Sequence, residues 1–309
     1  MLVLKNERVS TIGVKNLVVS VPATSANLGP GFDCLGLSLN LRNRFFIEPS
    51  SFHAVKLVGE GEGIPKFLTN NIFTKVFYEI LKKHGNDGSF KFLLHNRVPI
   101  TRGMGSSSAM IVGAVASAFA FLGFAFDREN IVNTALIYEN HPDNITPAVF
   151  GGYNAAFVEK KKVISLKTTI PSFLKAVMVI PNRAISTKQS RHLLPKRYSV
   201  QESVFNLSHA SLMTMAIVQG KWDLLRCCSK DRMHQYKRMQ TYPVLFAIQK
   251  LALENNALMS TLSGSGSSFF NMCYEEDASK LKQVLSKKFP KFRVAVLDFD
   301  NDGVLIEKD

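Results

Sequence analysis

The stretch PITRGMGSSSAM, Pro99 to Met110, carries two glycines and three serines and opens onto Ala109 to Phe126, where no residue is charged. Two architectures fit such a stretch. One is a phosphate-binding loop that feeds the N-terminus of a helix; the other is a flexible linker ahead of a membrane span. The physics of the loop favours the first. Gly103 and Gly105 can take positive φ and let the backbone approach an anion closely. Ser106, Ser107 and Ser108 add hydroxyls, and a helix behind them supplies unpaired N–H groups and a partial positive charge of about half a unit. No GK[ST] follows, so this is not a Walker A loop. Ser108 stands where a dinucleotide fingerprint needs its third glycine.

The uncharged run after the loop is 18 residues long, close to the lower limit for a membrane helix. It contains Gly113, Ser117, Gly123 and many alanines, has no second span beside it, and lacks a flanking basic cluster. A helix that is apolar all round also serves as the central helix of a water-soluble domain, and that is the expectation here.

The rest of the composition narrows the class. At 309 residues, 46% hydrophobic and 20% charged, the chain has the balance of a globular enzyme of one large or two ordinary domains. The net charge of +14 suits a solvated basic surface or the steering of anionic small molecules. The densest basic clusters, Lys160-Lys161-Lys162 and Lys287-Lys288, lack interleaved aromatics, which argues against a nucleic-acid partner. Cys34, Cys227, Cys228 and Cys273 form no CxxC pair and read as reduced thiols, pointing to the cytoplasm. The N-terminus MLVLKNERVSTIGVKN has charges interrupting every apolar run and does not read as a signal peptide.

Along the chain, Leu17 to Pro22, Arg44 to Glu48, His53 to Val58, Phe90 to Leu94, Tyr153 to Val158, Lys175 to Ile180, Phe269 to Cys273 and Arg293 to Phe299, the last, read as strands. Asn71 to Lys83, Arg128 to Tyr138 with Asp127 as N-cap, Ser199 to Gln219, Lys221 to Cys228, Val244 to Asn255 and Asp277 to Lys288 read as helices. The chain changes character at Lys160 to Thr169, which is polar and basic, and Asn140 to Asn144 reads as a loop. The pattern is α+β in both halves, with a boundary placed near residue 165: an N-terminal domain 1–165 and a C-terminal domain 166–309.

Two more Gly/Ser-rich loops accompany the first: PATSANLGPGFDCLG from Pro22 to Gly36, and SGSGSS from Ser263 to Ser268. Each adjoins a strand or helix end. Phosphate chemistry at such a loop needs Mg²⁺, hence a hydroxyl and a nearby carboxylate. Glu139, Asp143 and Asp33 are the best-placed acids. His141 has no second histidine at ligand spacing and reads as a polar or substrate-contacting residue. Thr187 and Arg191, four apart, share a face, and Arg238 is isolated among apolar positions; arginine forks match carboxylates.

Taken together, these motifs resemble the GHMP small-molecule kinases, and within that family the branch that phosphorylates homoserine. The resemblance rests on VPATSANLGPGFDCLG (Val21 to Gly36), PITRGMGSSSA (Pro99 to Ala109), LSGSGSS (Leu262 to Ser268), ENHPDN (Glu139 to Asn144), the STxxxR at Ser186 to Arg191, and His234 with Arg238. It covers nearly the whole chain, and the first run together with HPDN is highly specific. The resemblance implies an α+β, two-domain fold, with an N-terminal domain like ribosomal protein S5 domain 2 and a ferredoxin-like C-terminal domain. It implies transfer of phosphate from ATP, with Mg²⁺, to the L-homoserine hydroxyl on the way to threonine. By the same resemblance, Pro99, Ile100, Thr101, Arg102, Gly103, Met104, Gly105, Ser106, Ser107, Ser108 and Ala109 cradle the ATP phosphates. Ser107 and Glu139 hold the metal. Asp143, Asn144 and Asn27 serve the chemistry, and Asn27, Asp33, His141, Asp143, Thr187, Arg191 and Arg238 bind the amino acid. L-Homoserine and ATP are the expected partners, with no nucleic acid and no membrane; a homodimer is admitted but not fixed by the sequence. The rival readings are a kinase of the same fold acting on mevalonate or a sugar, a nucleotide-binding regulator that has lost catalysis, and a basic nucleic-acid binder with an S5-like domain. The two arginines favour a carboxylate-bearing substrate over a sugar.

Overall fold

A computed structural model describes residues 16–308. Residues 1–15, and with them the stretch read above as no signal peptide, lie outside the described residues, as does Asp309.

The first half begins with β1 (Leu17–Ala26) and β2 (Leu35–Ser50), antiparallel neighbours from Leu17 opposite Ile47 to Ala26 opposite Gly36. Their register shifts between Pro22 and Ala23, where proline has no N–H to give to a ladder. Then come β3 (Ala54–Gly59), α1 (Pro65–Thr69), α2 (Ile72–Lys83), β4 (Ser89–Asn96), α3 (Ser106–Phe121), α4 (Arg128–Ala135), α5 (Pro142–Phe150), β5 (Tyr153–Glu159) and β6 (Lys162–Thr168). The second half holds β7 (Leu174–Ile180), α6 (Thr187–His192), α7 (Val200–Val218), α8 (Leu225–Cys228), α9 (Gln235–Gln240), α10 (Val244–Glu254), β8 (Met259–Leu262), β9 (Phe269–Tyr274), α11 (Glu275–Lys288), β10 (Arg293–Leu297) and β11 (Leu305–Lys308).

Two sheets result. Seven strands run in the order β11-β1-β2-β4-β3, with β5 pairing β2 and β6. Four strands run β10-β7-β9-β8, all antiparallel, which is the ferredoxin-like order. The fold is α+β, as the sequence led one to expect. Side chains on β7 alternate between two cores, as a pleated strand requires. Val177 and Val179 pack with α10 and α11, while Ala176, Met178 and Ile180 face Leu35, Leu37, Leu39 and Leu41 of β2. The other end of β2 turns Phe45 and Ile47 into a third core with α2 and α3. One long strand therefore ties the two halves together. Arg42 reinforces the tie by an ion pair to buried Asp300 and a hydrogen bond to Gly303 O (2.6 Å).

The uncharged run is the buried central helix: α3 keeps every residue from Ser108 to Ala118 out of solvent. No helix among the described residues is long and apolar enough to cross a membrane. Asn71 caps α2 through the N–H groups of Phe73 and Thr74, and Asp127 caps α4 through Glu129 and Asn130.

Four expectations need correction. Asn140 to Asn144 is not a loop throughout, because Pro142 opens α5 at the first helical position, where its missing N–H costs nothing. Lys160 to Thr169 is mostly strand β6, paired along its length with β5 through a turn at Lys160 and Lys161, both at positive φ. The strand at Arg293 is not the last, since β11 follows it and returns to the first sheet. Strand β8 went unread because its four residues lie directly against the third Gly/Ser loop.

Candidate active site

The three glycine-serine loops meet in space. Gly105 is the N-cap of α3, in the left-handed region at φ 68°, so the first N–H groups of the helix face outward without helical partners. A Cβ on Gly105 would stand 1.9 Å from Thr24 Oγ1, and one on Gly103 would stand 2.1 Å from Ser263 O. These positions admit glycine alone because the first and third loops press against the second. Ser263 Oγ donates to Gly103 O (2.7 Å), Gly264 N to Ala26 O (3.1 Å), and Ser268 N to Arg102 O (3.0 Å).

The first loop leaves β1 at Asn27, whose Oδ1 accepts a hydrogen bond from Asp33 N (3.0 Å). Helix α5 brings Asp143 and Asn144 beside the second loop, and Asn144 Oδ1 accepts from Thr24 Oγ1 (2.7 Å). Thr187 and Arg191 come from successive turns of α6, and Arg238 comes from α9. Arg191 grips Asp33 with two bonds of 2.8 Å. Arg238 is buried; its Nη1 donates to His234 Nδ1 (3.1 Å) and Gly264 O (3.2 Å). His234 Nε2 in turn donates to Gly29 O (2.8 Å), which fixes the neutral tautomer that accepts from Arg238. Both guanidinium groups lie near the Phe32 ring, at 5.1 and 5.3 Å.

These groups line one cavity of about 320 Å³. Of the residues expected from sequence, it gathers Asn27, Asp33, Ile100, Thr101, Gly103, Gly105, Ser106, Ser107, Ser108, Glu139, His141, Asp143, Asn144, Thr187, Arg191 and Arg238. Four lie off it. Met104 and Ala109 are core residues, Pro99 is not among the lining, and Arg102 turns to Pro181 O and Asn182 Oδ1 in the second half. The far end is lined by Leu57, Phe67, Asn70, Asn71, Ile72 and Asn96, none of which the sequence had put forward for the site. Phe32 and the acceptor role of His234 were also unread.

The cavity is electrostatically divided. Burial raises the Glu139 carboxyl, with a hydrogen bond from Ser108 Oγ (3.1 Å) and the charge of Arg191 opposing it. Burial, with Asp33 and Glu139 adding negative charge, raises Asp143 to about 7. Burial lowers His141, whose Nε2 lies 4.0 Å from Asp33 Oδ2. Burial also lowers Arg238, to about 10, which leaves it charged at neutral pH.

Residues 71–152 match the GHMP kinases N-terminal domain model and residues 216–291 the GHMP kinases C-terminal model. A homoserine kinase of Helicobacter pylori is 98% identical over 293 residues, which is 95% of this chain and all of that protein. One from Helicobacter hepaticus is 53% identical over 296 residues, covering 94% and 99% of the two chains. The chain belongs to the GHMP kinases, in their homoserine kinase branch. The crystal structure of homoserine kinase from Cytophaga hutchinsonii superposes on this GHMP kinase with a TM-score of 0.84 at 24% identity, covering 99% and 100% of the chains. A mevalonate kinase structure superposes at 0.70 with 12% identity, covering 92% of this chain and 99% of the other. The fold is thus shared by a homoserine kinase and a mevalonate kinase.

Proposed function

We propose that this chain transfers the γ-phosphoryl group of ATP to the side-chain hydroxyl of L-homoserine, giving O-phospho-L-homoserine, a step towards threonine. The observation that carries the reading is the set of groups that line one cavity: apolar and asparagine side chains, glycine-serine amides at a helix N-terminus, Asp143 with Asn144, and an arginine pair with Asp33.

The loop from Gly103 to Ser108 and the N-terminus of α3 receive the phosphates, and the Leu57–Phe67–Ile72 end takes the base. Glu139 fits a divalent cation arriving with ATP. It is a half-buried carboxylate held beside the serine loop with no cationic side chain within ion-pair distance among the described residues, and desolvation disfavours its charge until one arrives. Ser107, exposed towards the cavity, would supply a hydroxyl, and Ser108 orients the carboxylate. The metal would neutralise charge on the transferring phosphoryl group.

At the acceptor end, Arg191 and Arg238 offer forks for the substrate carboxylate, Thr187 a hydroxyl, and Asp33 a partner for the ammonium. Asn27, His141, Asp143 and Asn144 surround the place of the side-chain hydroxyl. Phosphoryl transfer of this kind needs mainly alignment and charge stabilisation. No lysine stands beside Asp143 among the described lining residues, so Asp143 and Asn144 act by orienting the hydroxyl rather than as a strong base.

Two arginines at a single acceptor pocket favour a carboxylate-bearing alcohol over a sugar, and Asp33 beside them, a partner for an ammonium group, favours homoserine over mevalonate. The deciding test is an ADP-release assay with MgATP across L-homoserine, L-serine, L-threonine, mevalonate and galactose. Turnover on homoserine at the highest kcat/KM is the expected outcome; turnover on another alcohol and none on homoserine would overturn the assignment.

A further inference from the structure

Phe32, next to Asp33 in the first loop, is half-buried but belongs to none of the three apolar cores among the described residues. Its backbone is pinned from two sides. Within the loop, Gly31 N donates to Asn27 O (3.0 Å), Cys34 N to Gly31 O (3.0 Å), and Asp33 N to Asn27 Oδ1 (3.0 Å). From the second half of the chain, His234 Nε2 donates to Gly29 O (2.8 Å) and Asn206 Nδ2 to Pro30 O (3.2 Å). A phenylalanine fixed this firmly outside a core has to be explained by what its ring touches.

It touches cations. The guanidinium carbon of Arg191 lies 5.1 Å from the ring centroid and that of Arg238 lies 5.3 Å from it. The His234 ring, which accepts from Arg238, is 5.2 Å away and tilted by 31°. Two like charges over one ring repel each other, and the charge of Arg191 is among the causes that lower Arg238, after its burial. The negative face of the ring offsets this repulsion, more strongly for the buried Arg238 than for the half-exposed Arg191. It does so without taking up an N–H donor. Asp33 also holds Arg191, but its two hydrogen bonds occupy the fork that a substrate carboxylate needs. The acid has to let go before that carboxylate can enter, whereas the ring keeps its hold throughout.

We infer that Phe32 is a positioning residue of the acceptor pocket: its ring holds Arg191 and Arg238 in place together while leaving their N–H forks free for the substrate carboxylate. The inference rests on the homoserine reading proposed above. Its test replaces Phe32 by mono-, di- and trifluorophenylalanine, which draw charge from the face of the ring and hardly change its size. In the ADP-release assay the KM for homoserine should climb at each step, to roughly tenfold with the trifluoro side chain, a change of about 1.4 kcal/mol. Both kcat and the KM for ATP should stay within about twofold. Phe32→Leu should give a similar rise in the homoserine KM, and Phe32→Tyr, which restores a ring, should stay within about threefold of the wild type. A side chain that merely fills space would leave the homoserine KM flat across the fluorinated series. Such a flat series, measured on a wild-type background active on homoserine, overturns the inference even where Phe32→Leu fails to fold. So does a KM for ATP that rises in step with that for homoserine. A wild type inactive on homoserine overturns the functional reading itself, and this inference with it.

Discussion

Arg191 closes on Asp33 with both prongs of its fork: Nη1 and Nη2 each reach a different carboxylate oxygen at 2.8 Å, across 158 residues of chain. The acceptor pocket thus holds its own internal mimic of a carboxylate. An incoming amino-acid substrate would exchange this pair for two, its carboxylate on the arginines and its ammonium on Asp33. Lysine keeps the charge of Arg191 but not the planar fork. Arg191→Lys should therefore raise the KM for homoserine by about tenfold or more, the factor expected for a charged hydrogen bond worth about 1.5–3 kcal/mol, while the KM for ATP stays within about twofold. Steady-state ADP release, varying each substrate, separates the two. An unchanged homoserine KM would take Arg191 out of the pocket. Arg238→Lys should act the same way.

Gly105 offers a test of the phosphate end. Its φ of 68° and the Thr24 hydroxyl 1.9 Å from where a Cβ would stand leave no room for alanine. Gly105→Ala should cost more than about 1 kcal/mol in stability, the usual penalty for alanine at positive φ, and should raise the KM for ATP more than that for homoserine. A variant with wild-type melting temperature and wild-type ATP affinity would contradict the tight approach of the three loops.

Much of this was legible in the chain alone. Glycine-serine runs announce loops locally, so the three loops could be seen one by one, and α3 followed from its charge-free composition. Asp33, Arg191 and Arg238 were legible as types of residue, but their convergence belongs to the tertiary fold. Pro142 concealed the start of α5, because His-Pro-Asp-Asn reads as a turn as readily as a helix start. The far end of the cavity stayed hidden for another reason. Leu57, Phe67 and Ile72 have the spacing and chemistry of ordinary core residues, and only the gap they border sets them apart. Ser107 and Ser108 are indistinguishable in sequence; the helix phase alone points Ser108 at Glu139 and leaves Ser107 open to the cavity.

His234 ties the acceptor arginine to the acid limb of stability. Burial holds its folded-state value at about 4, against 6.5 when exposed. A lowered value means that the unfolded chain takes up the proton first. The contribution is therefore complete above about 6.5 and is lost as pH falls towards about 4. Protonation would also set an N–H against the guanidinium that the imidazole now accepts from. The wild type should lose denaturation free energy between pH 7 and 5, at up to about 1.4 kcal/mol per pH unit from this group. His234→Gln should flatten the slope over that window. Urea denaturation at a series of pH values measures it, and parallel slopes for the two proteins would exclude His234 as the source.

Asp143 runs in the opposite sense. Burial raises its carboxyl to about 7 from 3.8, with Asp33 and Glu139 adding like charge. A raised value means that the folded protein holds the proton more tightly than the unfolded chain. The group's contribution is then complete below about 3.8 and is lost as pH rises through about 7, leaving a buried charge that opposes folding at pH 8. A cost of this sort at a functional site is the usual trade of stability for activity. Asp143→Asn keeps the shape and the acceptor oxygen but removes the charge. Its melting temperature at pH 8 should exceed that of the wild type by several degrees, since about 1 kcal/mol moves a protein of this size by roughly 2–4 °C. The gap should narrow as pH falls towards 4.5. In the same variant kcat should fall by about a hundredfold, because the hydroxyl loses its charged orienting partner. Calorimetry at the two pH values and ADP release test the two halves separately. A variant that melts below the wild type at pH 8 would show Asp143 to be a net stabilising charge and would remove the electrostatic reading of the site.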